Sequence, residues 1–129
     1  MHKTSAHPKP FAVAARSWAV RLRLVPRYPF STEPVAVAQE VGCGRLISAP
    51  DTVPFASWCA ARHLDDLPEA LWATASAGGD VNTTCAMVGG VVAARPGLSL
   101  VPADWLRACE PLPDIAVAWC PVRLPSLTT

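Results

Sequence analysis

The sequence predicts an all-α fold, and three observations support this prediction. Apolar residues recur at the three- and four-residue spacing of a helix in several stretches between residues 51 and 109. Side chains that favour helix starts, and glycines or prolines that favour helix ends, lie at the edges of these stretches. No stretch of convincing length alternates between apolar and polar residues, as a half-buried strand does. We therefore expect short helices packed around one core.

The first predicted helix is short and is followed by a turn. A helix is predicted over residues 34–40, directly before Gly42-Cys43-Gly44. Two glycines separated by one residue permit backbone angles that other residues avoid. The chain is therefore expected to change direction at this point.

For the second helix we expect Asp51 or Thr52 as the N-cap, with Pro54 in the first turn and an end near His63. The third is predicted to begin at Asp66, because Glu69 follows three residues later in a capping-box arrangement, and to end at Gly78-Gly79. Both helices have an apolar face at helical spacing. These faces comprise Phe55, Trp58, Cys59 and Arg62 in the second helix, and Leu67, Ala70, Leu71 and Thr74 in the third.

The fourth helix is predicted to start within residues 80–83 and to carry a stripe of small residues. Glycine within a helix costs up to about 1 kcal/mol relative to alanine, so two adjacent glycines indicate close packing that only small side chains permit. We therefore expect a buried helix. A fifth, over residues 102–109, is expected to turn Trp105, Leu106 and Cys109 inward before Pro111 and Pro113 end it. The stripe comprises Ala86, Gly89, Gly90 and Ala93.

Composition divides the chain into three parts. Residues 1–33 contain six basic residues and no acid before Glu33, and four prolines interrupt them. We predict a disordered extension there, with an organelle-targeting peptide as the alternative. Residues 34–113 form the predicted helical domain, and residues 114–129 are a tail.

Charge, cysteine content and hydropathy exclude several protein classes. A net charge of +1 gives no general attraction to nucleic acid. Five cysteines without a C-x-x-C pair, and no histidine at zinc-ligand spacing, favour reduced thiols over a disulfide framework or a zinc site. The longest uncharged apolar run, residues 85–94, is about half the length that a membrane span needs. We therefore expect a soluble, cytoplasmic protein without a membrane partner.

The residues best suited to chemistry are Asp80, Asn82 and Thr83, which follow the glycine turn at the start of the fourth helix. A carboxylate, an amide oxygen and a hydroxyl are hard donors that suit Mg²⁺ or Ca²⁺. Gly78 and Gly79 leave room for a ligand to approach the backbone. The alternative is that Asp80 only caps the helix.

Other candidate residues have simpler structural explanations. The pair Asp65-Asp66 could serve acid–base chemistry, but capping of the third helix explains it better. His63 lies near a helix end, where an imidazole complements the dipole. Nucleophilic thiol chemistry is not indicated at Cys85, which has no histidine nearby in the sequence, or at Cys59, whose neighbour His63 is better explained by the helix end. Three tryptophans could stack on an adenine, but their helical spacing favours the core: Trp58, Trp72 and Trp105.

These elements, in this order, resemble the C-terminal part of the ADP-ribosylglycohydrolase family. The resemblance covers roughly residues 35–113. The matching segments are Asp51-Thr52-Val53-Pro54-Phe55, Trp58, Glu69-Ala70-Leu71-Trp72-Ala73, Gly79-Asp80-Val81-Asn82-Thr83-Thr84, Gly89-Gly90, Pro102, Trp105-Leu106 and Glu110-Pro111-Leu112-Pro113.

The resemblance implies part of an orthogonal helical bundle and a two-metal, usually Mg²⁺, centre that cleaves ADP-ribosyl glycosidic bonds. Its metal ligands here would be Asp80, Asn82 and Thr83, and its substrate an ADP-ribosylated protein or a small ADP-ribose conjugate. The sequence departs from the family pattern at Asn82, where an aspartate is expected, and at Cys43, where relatives often have a polar residue.

The family's N-terminal metal motif is not found in residues 1–33. Two hypotheses follow from this. The chain is either an incomplete hydrolase that needs a complementary N-terminal chain, or a non-catalytic binding module with at most a weak cation site. In either case, helices made for a larger bundle should leave the small-residue stripe of the fourth helix or its valine neighbours partly uncovered, which favours self-association.

Overall fold

The computed structural model describes residues 19–94 and 97–110, and within them it contains helices and no strand. The predicted all-α class is therefore confirmed. Residues 19–24 are helical and continue into a 3-10 helix, Val25–Arg27; a second 3-10 helix is Gly97–Leu100. After the first 3-10 helix, the α-helices in chain order are α1 Pro34–Val41, α2 Ala49–Arg62, α3 Leu67–Ser76, α4 Val81–Ala93 and α5 Ala103–Ala108, and the second 3-10 helix lies between α4 and α5.

The core lies where α4 packs against α2 and α3, with α1 closing one side. Burial of these apolar side chains is the main favourable contribution to folding. The predicted inward faces of α2 and α3 are confirmed: Phe55, Trp58 and Cys59 are fully buried in α2, as are Ala70 and Thr74 in α3. Neither the predicted tail, 114–129, nor residues 1–18 fall within the described part of the chain.

The predicted start of α2 was wrong. Ser48 occupies the N-cap position and Pro50 lies in the first turn, while Pro54 is inside the helix. Proline suits the first turn because its missing N–H needs no partner there. Asp51 and Thr52 are therefore helical residues. The Thr52 hydroxyl donates to the Ser48 carbonyl oxygen at 2.8 Å.

The N-cap of α3 was predicted correctly, and α4 begins within the predicted range, with Asp80 in the capping position that the alternative interpretation gave it. Asp66 accepts a hydrogen bond from the Glu69 N–H at 3.0 Å, and Asp80 accepts one from the Thr83 N–H at 3.2 Å. Each bond satisfies a backbone donor that has no partner within the helix. The capping explanation of Asp66 is thereby confirmed.

The small-residue stripe of α4 is partly uncovered, as expected of a helix made for a larger bundle, and it does not form the buried face that its adjacent glycines indicated. Ala86 and Gly90 are exposed, while Gly89 and Ala93 are half-buried. The buried positions are Thr84, Val88 and Val92. Residues four positions apart lie on the same face of a helix, so the face that enters the core carries these larger side chains. Self-association through the exposed face stays a prediction.

The inward orientation predicted for α5 was also wrong. Trp105 is 37% exposed, Cys109 is exposed, and no residue of this helix is buried. With only six residues, α5 is too short to bury a face of its own.

Residues 19–33 pack against the bundle, so the predicted disordered extension does not hold for them. The Trp58 indole N–H donates to the Tyr28 carbonyl oxygen at 3.1 Å, and Arg62 donates to that of Thr32 at 2.7 Å. The Arg62 guanidinium also lies over the Trp58 ring at 5.2 Å, in a cation–π arrangement. No helix in the described ranges is long and apolar enough to cross a membrane.

Candidate cation site at the start of helix α4

Two glycine-rich turns pack directly against each other at the start of α4. The Asp80 N–H donates to the Cys43 carbonyl oxygen at 3.0 Å. Gly44 and Gly79 both have positive φ angles, 88° and 78°, which favour glycine. A Cβ on Gly79 would overlap Cys43, and one on Gly44 would lie 2.7 Å from the Asp80 Cβ. Neither turn could approach so closely with a larger residue.

The start of α4 fixes the backbone of Asp80 and one side of its carboxylate. Thr83 donates to Asp80 from the backbone, and the buried Thr84 hydroxyl donates to the Asp80 carbonyl oxygen at 2.8 Å. Hydrogen bonds from the Thr83 side chain and from its backbone N–H lower the pKa of the Asp80 carboxyl. Asp80 is therefore a carboxylate at neutral pH.

The three predicted cation ligands share one end of α4. Asp80 is partly exposed, and Asn82 and Thr83 are exposed. Their oxygen donors fit a hard divalent cation, and a carboxylate that caps a helix keeps further lone pairs for a ligand. Their only formal charge is that of Asp80. Across residues 19–94 and 97–110, no three His, Cys, Asp or Glu side chains are grouped as a metal site. The residues thus fit one side of a cation site.

A groove of about 320 Å³ runs alongside Asp80 and Thr83. Asp80 and Thr83 are among its lining residues, Asp80 is the charged one, and apolar atoms dominate the exposed surface. A charged group beside an apolar wall is a common arrangement in small-molecule sites. The other lining residues are Ile47, Ser48, Ala49, Thr52, Val53 and Met87.

Ile47 is the most unusual residue of this groove. Its φ is +49° and its side chain is 87% exposed. A β-branched residue rarely adopts a positive φ, and such strain is often found at functional sites. No sequence pattern predicts this conformation, because isoleucine itself disfavours it.

The two glycines proposed for ligand contact differ in their surroundings. A Cβ on Gly78 would meet nothing within 4 Å, so this backbone is accessible from outside. Gly79 instead packs against Cys43. Of the two positions, Gly78 alone keeps space for a ligand beside its backbone.

Asp51 is a buried residue of this region that sequence reasoning assigned to a different role. Its carboxylate accepts hydrogen bonds from Arg21 at 3.0 Å and from the Leu46 N–H at 2.9 Å. Its carbonyl oxygen accepts from the Gly44 N–H at 2.7 Å. Asp51 therefore organises the loop before α2 instead of capping the helix. The partners Asp51 and Arg21 are 30 positions apart, so local sequence patterns do not reveal the pair.

A second cavity, of about 430 Å³, borders the same turn. Two arginines and two acids, Arg21, Arg45, Glu40 and Asp51, contribute to its lining. Because these charges balance, the cavity has no net attraction for an ion of either sign. The groove beside Asp80 is therefore the better candidate site.

The remaining sequence candidates lie outside this site. Trp58 is buried as predicted, but Trp72 is 68% exposed and is not part of the core. Burial raises the pKa of the Cys59 thiol to about 11 and also raises that of Cys85. Raised thiol pKa values disfavour the nucleophilic thiolate. His63 follows the last residue of α2, as predicted.

The family assignment comes from sequence comparison. The model of the ADP-ribosylglycohydrolase family matches residues 3–124, which include most of the region predicted to be an extension. ADP-ribosylhydrolase ARH3 of Mus musculus is 33% identical over 84 residues, covering 57% of this chain and 22% of the mouse protein. The chain thus spans about a fifth of the length of this curated relative. No solved structure matches. Since the family model matches nearly the whole sequence, the chain belongs to the ADP-ribosylglycohydrolase family.

Proposed function

We propose that the start of α4 forms one side of a Mg²⁺-dependent site for hydrolysis of ADP-ribosyl glycosidic linkages. The supporting observation is the ionised Asp80, held by the glycine turns beside a groove, with Asn82 and Thr83 exposed in the next helical turn. Family membership supports the substrate class, because the mouse relative is named an ADP-ribosylhydrolase.

Each residue of the site has a distinct role in this proposal. Asp80, Asn82 and Thr83 would hold the cation through carboxylate, amide and hydroxyl oxygens. A bound Mg²⁺ would orient the ribose hydroxyls and polarise the attacking water. Ile47 and Met87 line the groove and would exclude water from one face of the substrate.

The single carboxylate indicates that further ligands come from elsewhere. A Mg²⁺ ion usually takes six oxygen ligands, several of them waters. Asn82 contributes no charge where the family pattern has an aspartate, so Asp80 is the one anionic donor of the three. We propose that the remaining acidic ligands belong to a complementary N-terminal polypeptide of the family.

Ligand binding to the full chain tests the cation site directly. We expect ADP-ribose to shift the amide NMR signals of Asp80, Asn82 and Thr83 when Mg²⁺ is present and not when EDTA replaces it. Asp80→Ala should abolish these shifts. The matched control is Asp66→Ala, which removes the N-cap of α3 instead. Shifts that are equal with Mg²⁺ and EDTA, or that survive in Asp80→Ala, would contradict the proposal.

Turnover tests the need for a partner. We expect the chain alone to release no ADP-ribose from a modified protein, and release to begin once a complementary N-terminal polypeptide of the family is added. Turnover by the chain alone, lost in Asp80→Ala, would show that the proposed division between two polypeptides is wrong.

A second candidate function is a non-catalytic binding module with at most a weak cation site. The observation that favours it is the single negative charge among the three donors. Under this alternative, ADP-ribose binding is insensitive to Mg²⁺ and no added polypeptide restores turnover. The two experiments above therefore separate the candidates.

A further inference from the structure

The carboxylate of Asp51 is buried, and its hydrogen bonds lead away from its own helix. Its side chain is 7% exposed, although Asp51 lies in the first turn of α2. A buried carboxylate is costly unless it is paired and hydrogen-bonded. Arg21 supplies the charge partner and Leu46 supplies a backbone donor. These bonds fix the loop formed by residues 42–48.

Arg21 holds the other end of the same loop. One of its guanidinium nitrogens donates both to the Asp51 carboxylate, at 3.0 Å, and to the Val41 carbonyl oxygen, at 3.2 Å. Gly42 lies directly beneath it, since a Cβ there would be 2.6 Å from this nitrogen. The arginine thus joins the end of α1 to the start of α2, across the turn.

The loop in turn holds the backbone of Asp80. Gly44 donates to the Asp51 carbonyl oxygen, and the neighbouring Cys43 carbonyl oxygen accepts from the Asp80 N–H. A shift of the loop therefore changes the position of Asp80. No atom of Asp51 needs to touch a ligand for this coupling to act.

We propose that Asp51, paired with Arg21, is a positioning residue that sets the orientation of Asp80 through the loop formed by residues 42–48. The role of this coupling in cation binding depends on the proposed function. The coupling itself depends only on the contacts between Asp51, the loop and Asp80. Hydrogen bonds from residues that do not touch the metal orient metal ligands in the same way.

Amide hydrogen exchange of the full chain, without added metal, tests the coupling. Asp51→Asn keeps the shape of the side chain and removes its charge. We expect exchange at the Asp80 and Leu46 amides to become about tenfold faster, as expected when a charge-assisted hydrogen bond is lost. The amides of Val88 and Val92, in the core of the same helix, should keep their rates. This selectivity distinguishes positioning from general destabilisation.

Asp66→Asn is the matched control, because it makes the same substitution at an N-cap on the far end of α3. It should leave exchange at Asp80 unchanged. If Asp51→Asn does not fold, Arg21→Gln replaces it, since the arginine side chain is one-third exposed. The same amides should then respond, to a smaller extent. A folded variant with unchanged Asp80 exchange, or with Val88 and Val92 accelerated equally, would overturn the proposal.

A Mg²⁺ titration separates this proposal from the proposed function. If the unsubstituted chain binds Mg²⁺, Asp51→Asn should weaken the binding about tenfold, as for other outer-shell substitutions. If the unsubstituted chain shows no response to Mg²⁺, the proposed function fails, and the exchange experiment still decides whether Asp51 positions Asp80. Mg²⁺ affinity unchanged in a folded Asp51→Asn would count against the positioning role.

Discussion

Asp80 and Cys43 are joined by a backbone hydrogen bond of 3.0 Å that connects two turns distant in the sequence. Helix capping alone does not require this bond, because Asp80 already caps α4 through its side chain. The bond requires glycine at position 79, where any side chain would overlap Cys43. The start of α4 is therefore fixed by tertiary structure as well as by its local sequence.

The surroundings of Gly79 and Gly90 predict opposite effects for the same substitution at the two positions. Gly79→Ala should lower the free energy of unfolding by about 2 kcal/mol or more, because a positive φ is strained for alanine and its Cβ displaces Cys43. Gly90→Ala should raise it by about 0.5–1 kcal/mol, because the site is helical and open. Chemical denaturation of both variants measures the difference. Destabilisation by Gly90→Ala would indicate that a partner covers this face.

The helix starts could be predicted from the sequence, whereas the contacts between distant segments could not. The cap at Asp66 was predicted and the cap at Asp80 was foreseen as an alternative, because capping depends on residues three positions apart. The face of α4 that was predicted to be buried is wrong. Two adjacent glycines indicate close packing against another helix, but Val88 and Val92 occupy the core instead. The role of Asp51 depends on Arg21, from a segment predicted to be disordered. Local patterns contain no information on such distant contacts.

The lowered pKa of Asp80 predicts a pH-dependent contribution to stability. A carboxyl whose pKa is lower in the folded state stabilises the fold at pH values above its ordinary pKa, about 3.8. This stabilisation is lost as the pH falls through the pKa of the folded state. Asp80→Ala should therefore be less stable than the unsubstituted chain at pH 7, and the difference should shrink below pH 3.8. Thermal unfolding from about pH 2 to pH 7 measures it. A difference constant over this range would contradict the assignment.

The strained backbone of Ile47 predicts that its replacement stabilises the fold. Ile47→Gly should raise the free energy of unfolding by about 1 kcal/mol, because glycine tolerates a positive φ and the lost side chain is almost fully exposed. The neighbouring Leu46→Gly is the control. Leu46 is also exposed but has no positive φ, so its replacement should not stabilise. If Ile47→Gly is no more stable than Leu46→Gly, the strain is not present in solution.

Trp58 attaches residues 28–32 to the bundle, and its replacement should lower the free energy of unfolding. Trp58→Phe removes the hydrogen bond to Tyr28 and part of the surface that contacts Phe30 and Arg62. We expect a loss of about 2–3 kcal/mol in the free energy of unfolding. Trp72→Phe, at an exposed position, should change it by less than about 0.5 kcal/mol. Equal effects of the two substitutions would show that residues 28–32 are not held as described.

Asn82 departs from the family motif, and restoring an aspartate at this position should strengthen cation binding. Asn82→Asp adds a second carboxylate beside Asp80 without changing side-chain size, and its position in the first turn of α4 favours a negative charge. We expect Mg²⁺ to bind about tenfold more tightly, because each added charged ligand strengthens the binding of hard cations. Titration followed through the amide signals of residues 80–83 measures the affinity. Ala103→Asp, at the first residue of α5, is the control, because it adds the same charge at the start of another helix. An equal gain in both variants would indicate nonspecific attraction, whereas a gain confined to Asn82→Asp would place the cation at the start of α4.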